Sequence, residues 1–427
     1  MGENEKKEGT QPKYEEGALK IHKLTQAEVV FSVVGCGIGS GCLGTAYSAR
    51  LAGLPVLVFW FIVTGILTLF SMMYVAETTL RTRTLVQLPG LAERYLGPAG
   101  SILIFIAVVI NSLSCMIAYF SGSGNILNEL LGVPDWVGTL IFLIPAAGVA
   151  WFGLKAMGVG NKLMSIGMIV MLVVLTAASM IANNGDLSRI FQSNWTYAIP
   201  IFNVAAFSYI GQYLVPDLAR GLSHDPKKLA PAIALGQLIV CVLLIIVPMG
   251  VMYITPAEDL TQVATIAWGR SLGLWALYIA NIFALIAMLT SYWAISQTLL
   301  SNIVDKFKFH SDEDVKIRLP ITIVIVGIPL ALTLSGAVGF VDAIYFSGTF
   351  AGAIMAILPI FMLKGARKKG EIEPDWNCGW MYNSFIQGII ILLYSGTIEY
   401  AILGAFKLLP AGKECKKMEK LFACEEK

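Results

Sequence analysis

The chain has 427 residues, of which 56% are apolar and 14% charged, with a mean hydropathy of +0.73 and a formal net charge of +2. A soluble domain carries about 25% charged residues, so a soluble fold of this length lacks the charged surface it needs. The composition excludes a soluble enzyme, a secreted domain, a disordered chain and a nucleic-acid binder, and it leaves a polytopic, all-α membrane protein.

Residues 1–24 are polar and mixed in charge, without the short apolar core of a signal peptide, and read as a disordered cytoplasmic tail. Beyond them, apolar runs of the roughly 20 residues a helix needs to cross a bilayer recur about eleven times. They lie near 26–50, 54–80, 99–126, 135–154, 160–182, 196–219, 228–254, 271–304, 319–336, 340–363 and 380–406. The runs are continuous rather than alternating, which excludes barrel strands. Together they make one transmembrane domain, 25–406, followed by a polar tail, 407–427.

Lysines and arginines set the orientation. The N-terminal tail and alternate loops hold most of them, for example Arg81, Arg83 and Arg94, then Arg220, Lys227 and Lys228, then Lys364, Arg367, Lys368 and Lys369. The opposite loops hold Arg50, Arg189 and Arg270. The bias predicts an integral protein of the cell membrane with a cytoplasmic N-terminus and, the spans being odd in number, an outside C-terminus. Cys415 and Cys424 share the C-terminal tail, where a disulfide is open. The other five cysteines lie in or beside spans and read as packing residues. No Ser/His/Asp set, metal-binding spacing or phosphate loop occurs, and His22, His224 and His310 fall outside the spans, so no enzyme and no cofactor are expected.

Span one is interrupted. Between Gly35 and Gly44 it places five glycines in ten residues, each weakening a helix by about 1 kcal/mol relative to alanine. Two readings stand: small-residue helix packing, with Gly35/Gly39 and Gly37/Gly41 as GxxxG pairs, or a helix that breaks where its freed backbone groups line a cavity. Span six carries a second interruption. Pro200 and Pro216 flank a segment with Gly211 at its middle and a dense run of Asn203, Ser208, Tyr209 and Gln212. The two breaks lie about 170 residues apart, and spans two to five recur at that offset as spans seven to ten. This predicts a leucine-transporter-type 5+5 inverted repeat, with repeat one at 26–182, repeat two at 196–363 and an extra helix at 380–406.

Unwinding exposes N–H groups at one half-helix end, which attract a carboxylate, and carbonyls at the other, which attract a cation or an ammonium. The expected substrate residues are therefore Gly37, Gly39, Ser40 and Gly41 of span one and Phe207, Ser208, Tyr209 and Gly211 of span six, with Phe207 and Tyr209 closing over the substrate side chain. Asn111 and Tyr119 of span three are further pocket candidates.

The glycine-rich segment 35–53, Glu77 at the end of span two and the run FSYIGQYLVPDLARGLSHDPKKL from Phe207 resemble the amino acid/auxin permease group of the amino acid-polyamine-organocation superfamily. They are most similar to the hydroxy and aromatic amino acid permeases, with Asp225-Pro226-Lys227 matching that group's stretch after span six and Thr45-Ala46-Tyr47 departing from its usual proline. The resemblance covers roughly 26–400. It implies secondary, ion-coupled symport of amino acids by alternating access, with aromatic or other neutral amino acids as substrates. In this fold a sodium site is formed by carbonyls of span one and hydroxyls of span eight, and Gly35, Ile38, Ala287, Thr290 and Ser291 fall at the matching positions. The alternatives are that Thr290 and Ser291 bond back to their own helix, and that protons are the coupling ion, carried by Glu77, Asp217, Asp342 or Glu399. The expected partners are thus an amino acid, Na⁺ or H⁺, and the lipid bilayer. An amino-acid receptor of the same fold that does not transport is the second reading.

The other polar residues have plainer readings. Asn281 and Gln297 read as interhelical packing contacts. Asp217 with Arg220, and Glu77 with Arg81, read as solvated ion pairs. Trp136, Trp151, Trp195, Trp268, Trp376 and Trp380 read as interfacial anchors.

Overall fold

The computed structural model describes residues 14, 23–84, 86–152, 157–310 and 314–405, without the side chains of 40, 148–152, 157–165 and 404–405. Most of both tails, with Cys415 and Cys424, and the side chains of Ser40, Trp151 and Lys162 lie outside the described residues. Among the described residues every element is a helix.

α1 (Gln26–Ile38) starts at a capping box. Thr25 Oγ1 accepts from the Glu28 N–H at 3.3 Å, while the Thr25 N–H donates to Glu28 Oε2 at 2.7 Å. Each bond satisfies a backbone donor that a helix start leaves over. The chain breaks at Gly39 and continues as two four-residue helices, α2 (Ser40–Leu43) and α3 (Thr45–Ser48). α4 (Leu54–Leu80), α5 (Leu88–Leu96) and α6 (Pro98–Leu131) each carry a proline in the first turn, where the missing N–H is no loss. α7 (Asp135–Phe152), α8 (Met157–Met180) and the short α9 (Leu187–Phe191) complete the first half. α10 (Ala198–Ser208) stops at the second break and α11 (Val215–Gly221) resumes beyond it. Then follow α12 (Leu229–Ile254), α13 (Ala264–Leu272), α14 (Leu274–Lys306), α15 (Val315–Leu334), α16 (Phe340–Lys369) and α17 (Ser384–Ala405).

Eight segments are long and apolar enough to cross a membrane. They are α4, α6, 195–221, 226–254, α14, α15, α16 and most of α17. α1, 135–147 and 166–180 are shorter apolar helices and lie in the stretches expected as spans one, four and five. α6 and α16 pack along each other; α4 lies on α10, α12 and α16, and α1 on α12 and α8. Outward faces are apolar at helical spacing: Phe59, Ile62 and Ile66 on α4, Ile102 and Ile106 on α6, Leu235, Leu238 and Val242 on α12. Such stripes would aggregate in water and match acyl chains.

α5 and α13 lie in segments that hydropathy leaves between spans. Each has nine residues. Each ends at a glycine with positive φ, +81° at Gly97 and +100° at Gly273, a conformation open to glycine at little steric cost. Each is followed at once by a long helix, α6 or α14.

Two expectations need correction. Glu77 and Arg81 are not a solvated pair, since Glu77 is fully buried. Arg367 Nε and Nη2 donate to its two oxygens, each at 2.9 Å, Arg81 Nε donates to Oε1 at 2.9 Å, and the Cys378 N–H donates to Oε2 at 2.8 Å. A buried carboxylate persists only when so satisfied, and this one ties α4, α16 and the approach to α17 together. Trp268 is likewise no interfacial anchor. It is fully buried, and its Nε1 donates to Ser179 Oγ at 2.8 Å. The Asp217–Arg220 pair forms, but it is largely covered and Asp217 also accepts from Gln87 Nε2 at 2.8 Å.

Candidate functional site

The two breaks meet. Gly39 leaves the helical region with φ −57° and ψ −132°, and α10 gives way at Tyr209, Ile210 and Gly211 before a single 3₁₀ turn leads into α11. Ser208 Oγ lies within hydrogen-bond reach of both the Gly41 carbonyl (3.3 Å) and the Val204 carbonyl (3.1 Å). Cys36 Sγ lies 3.4 Å from the Ile210 carbonyl and 3.1 Å from Tyr213 Oη. A Cβ on Gly41 would stand 3.0 Å from Ser208 Cα, so glycine is what lets the two backbones approach so closely. The small-residue reading and the broken-helix reading thus hold at once: the glycines pack one helix against another, and they do so at the break.

A cavity of about 120 Å³ lies at this junction. Its walls include Gly35, Gly37 and Gly41 from the first break, Phe207 and Ser208 from the second, Asn111 and Tyr119 from α6, and Thr290 and Ser291 from α14. From the breaks it extends along Ser32, Tyr213 and Thr298, toward the face where α1 begins.

Of the expected substrate residues, Gly37, Gly41, Asn111, Phe207 and Ser208 line this cavity. Gly39 borders it, since a Cβ there would lie 2.9 Å from Tyr119 Oη and 3.5 Å from Ser291 Oγ. Tyr209 departs from the expectation that it closes over a substrate. Its ring makes an edge contact with Phe61 at 6.3 Å and covers Gly65 of α4. Gly211 abuts Met72 rather than the cavity. The Ser40 side chain is outside the described residues. Of the expected cation residues, Gly35, Thr290 and Ser291 are on the wall, while Ile38 and Ala287 are buried behind it. Thr290 Oγ1 donates to the Ala287 carbonyl at 3.0 Å, the back-bonded arrangement that sequence left open. Ser347 Oγ donates to Asn111 Oδ1 at 3.0 Å, fixing that amide from α16.

Sequence reasoning missed Cys36, Cys115 and Tyr213 on this wall. Cysteine between glycines reads as packing, and Tyr213 lies within the second interrupted segment with nothing in the sequence to single it out from its polar neighbours.

Phe340 packs against Gly44 and Gly122, which fall in sequence between wall residues of this cavity (Gly41, Tyr119) and of a second one (Tyr47, Asn125). The ring is fully buried. It fits because Gly44 and Gly122 face it, where added Cβ atoms would stand 2.8 Å and 2.9 Å away. The ends of α6 and α7, the α13 segment and the α15–α16 linker line that second, open cavity of about 950 Å³. Among the described residues no three His, Cys, Asp or Glu side chains gather as a metal site.

Apolar outward faces and helices long enough to cross a membrane, with a cavity at paired helix breaks, define an integral membrane protein. The chain belongs to the tryptophan/tyrosine permease family, whose model matches residues 22–398. It is therefore a permease and not an enzyme. It is 25% identical over 394 residues to the tryptophan-specific transport protein of Haemophilus influenzae, covering 84% of this chain and 91% of that one. It is 25% identical over 403 residues to the tryptophan-specific transport protein of Shigella flexneri, covering 86% and 94%. A third relative, tyrosine-specific transport system 1 of Haemophilus influenzae, is 23% identical over 352 residues, covering 79% and 87%. These relatives are transporters and lend no support to the receptor reading.

Proposed function

We propose that the chain is a secondary active, ion-coupled symporter of aromatic amino acids, tryptophan or tyrosine, working by alternating access in a bacterial cell membrane. The carrying observation is the meeting of two helix breaks around one cavity, held by the Ser208–Gly41 and Cys36–Ile210 contacts. Backbone N–H groups at Gly39–Gly41 hold the substrate carboxylate, and carbonyls at the end of α10 hold its ammonium. Cys115 and Phe207 border the side chain, and the tryptophan- and tyrosine-specific relatives support an aromatic one.

In this reading α1–α3 form one broken span and the shorter apolar helices in α7 and α8 also cross, giving eleven spans. The matched pairs α5–Gly97–α6 and α13–Gly273–α14 support an inverted 5+5 repeat, standing about as far apart in sequence as the two breaks. The N-terminus is cytoplasmic and the C-terminus outside, so the cavity reaches toward the cytoplasm and Phe340 closes it from the outside. Alternation then requires Phe340 to leave its seat between Gly44 and Gly122 while the inner path closes. Sodium is the coupling ion, held by carbonyls of Gly35, Ile38 and Ala287 and hydroxyls of Thr290 and Ser291, five hard oxygens suited to a hard cation.

Uptake of labelled tryptophan and tyrosine into proteoliposomes tests this reading. It expects accumulation driven by an inward sodium gradient, and a raised sodium requirement in Ser291→Ala. Absence of accumulation under either a sodium or a proton gradient overturns the transport reading. Accumulation driven by protons alone overturns the sodium assignment.

A further inference from the structure

Several side-chain hydroxyls on the wall of the central cavity have already spent their proton. Ser32 Oγ donates to the Glu28 carbonyl at 2.8 Å, Thr290 Oγ1 to that of Ala287 at 3.0 Å and Thr298 Oγ1 to that of Ala294 at 2.9 Å. Each is left with lone pairs to offer. Asn111 is the opposite case. Its Oδ1 accepts from Ser347 Oγ at 3.0 Å, and Ser347 is fully buried behind the wall. An amide has one oxygen acceptor and one nitrogen with two donors. With the oxygen turned to α16, the nitrogen is what remains for the cavity. Asn111 is 2% exposed, and its Nδ2 donates to no group among the described residues. Buried donors without an acceptor are costly, and a solute that brings an acceptor relieves them.

The position of this donor selects the part of the solute it meets. Asn111, Cys115 and Tyr119 stand four residues apart on one face of α6. Tyr119 marks the first break, because its hydroxyl lies beside Gly39. Asn111 lies about 12 Å further back along the helix axis, at 1.5 Å per residue. Gly348, next to Ser347, packs on Phe207, where an added Cβ would stand 3.2 Å from Phe207 Cβ. Asn111 therefore sits toward Cys115 and Phe207, which border the substrate ring in the reading above, and away from the backbone groups of Gly39–Gly41.

We propose that Asn111, set by Ser347, binds the phenolic oxygen of the substrate and makes tyrosine the preferred aromatic amino acid. A phenol oxygen accepts from Nδ2. An indole brings only a donor to that point, and a phenyl ring brings nothing and leaves the amide unpaired. Ser347 acts as a positioning residue, since it decides which end of the amide faces the ring. The proposal rests on the aromatic amino acid reading above, and the two fail separately.

Equilibrium dialysis of the purified full chain with labelled tyrosine, phenylalanine and tryptophan in turn gives three dissociation constants. Tyrosine is expected to bind about ten- to a hundredfold more tightly than phenylalanine, as for a buried donor gaining or missing its acceptor, and more tightly than tryptophan. Asn111→Leu, close in volume, brings the tyrosine-to-phenylalanine ratio to within about threefold of one. Ser347→Ala frees Oδ1 to turn inward and accept an indole N–H, so the preference for tyrosine over tryptophan falls about three- to tenfold. Equal binding of tyrosine and phenylalanine by the wild type, or an unchanged ratio in Asn111→Leu, overturns the role of Asn111 and leaves the aromatic amino acid site standing. An unchanged tyrosine-to-tryptophan ratio in Ser347→Ala overturns the role of Ser347. No binding of any of the three overturns both the proposal and the reading beneath it.

Discussion

The two broken helices solve one problem with opposite materials. The first break is mostly glycine, and it presents mainly backbone: Gly35, Gly37 and Gly41 line the cavity with no side chains of their own, and Cys36 adds one thiol. The second break is framed by Pro200 and Pro216 and presents side chains, Phe207 and Ser208 to the cavity and Tyr209 away from it. The first is bare because the second must come close, with Ser208 Cα 3.0 Å from where a Gly41 Cβ would be. One break supplies dipoles, space and a thiol; the other supplies shape and a hydroxyl, and thiol and hydroxyl each reach a carbonyl across the seam.

That contrast can be broken in graded steps. Gly41→Leu forces a branched side chain into backbone that cannot retreat and fills the cavity. Uptake should fall by about 100-fold or more, measured as initial rate in proteoliposomes with insertion checked by expression in the membrane. Gly39→Ala meets a more forgiving neighbour, the Tyr119 hydroxyl at 2.9 Å. A loss of about tenfold is expected, and pairing it with Tyr119→Phe should recover part of the rate. On the other side of the seam, Ser208→Ala removes a bond across to the Gly41 carbonyl. A buried neutral hydrogen bond contributes about 1 kcal/mol, so the uptake KM should rise about fivefold. Tyr209→Phe should change uptake by less than about twofold, because the ring faces α4 and not the cavity. A large effect there would restore Tyr209 to the substrate and weaken the contrast.

Much of this architecture is legible in the sequence, for physical reasons that differ by residue. Spans show because the bilayer demands long apolar runs, and the breaks show because glycine and proline act locally. Gly37, Gly41, Phe207 and Ser208 follow from the breaks, Asn111 from being a polar residue within a span, and all five line the cavity. Side-chain direction does not follow: Tyr209 sits within the second break and still turns toward Gly65, since an unwound segment has no helical period to read. Long-range pairs are equally hidden. Glu77 reads as a partner of Arg81 four residues on, whereas its bidentate partner Arg367 lies 290 residues away. Trp268 reads as interfacial because it falls near a span end, yet α13 folds back and buries it. The short helices α5 and α13 left a faint local mark, a terminal glycine before each long span, which hydropathy averaging erases.

The most direct test of the central claim is thermal stabilisation by tryptophan, near its dissociation constant, of purified wild type against Gly41→Leu. If the substrate sits where the two breaks meet, tryptophan raises the melting temperature of the wild type and leaves that of Gly41→Leu at its own, lower ligand-free value. Equal stabilisation of both would contradict the account.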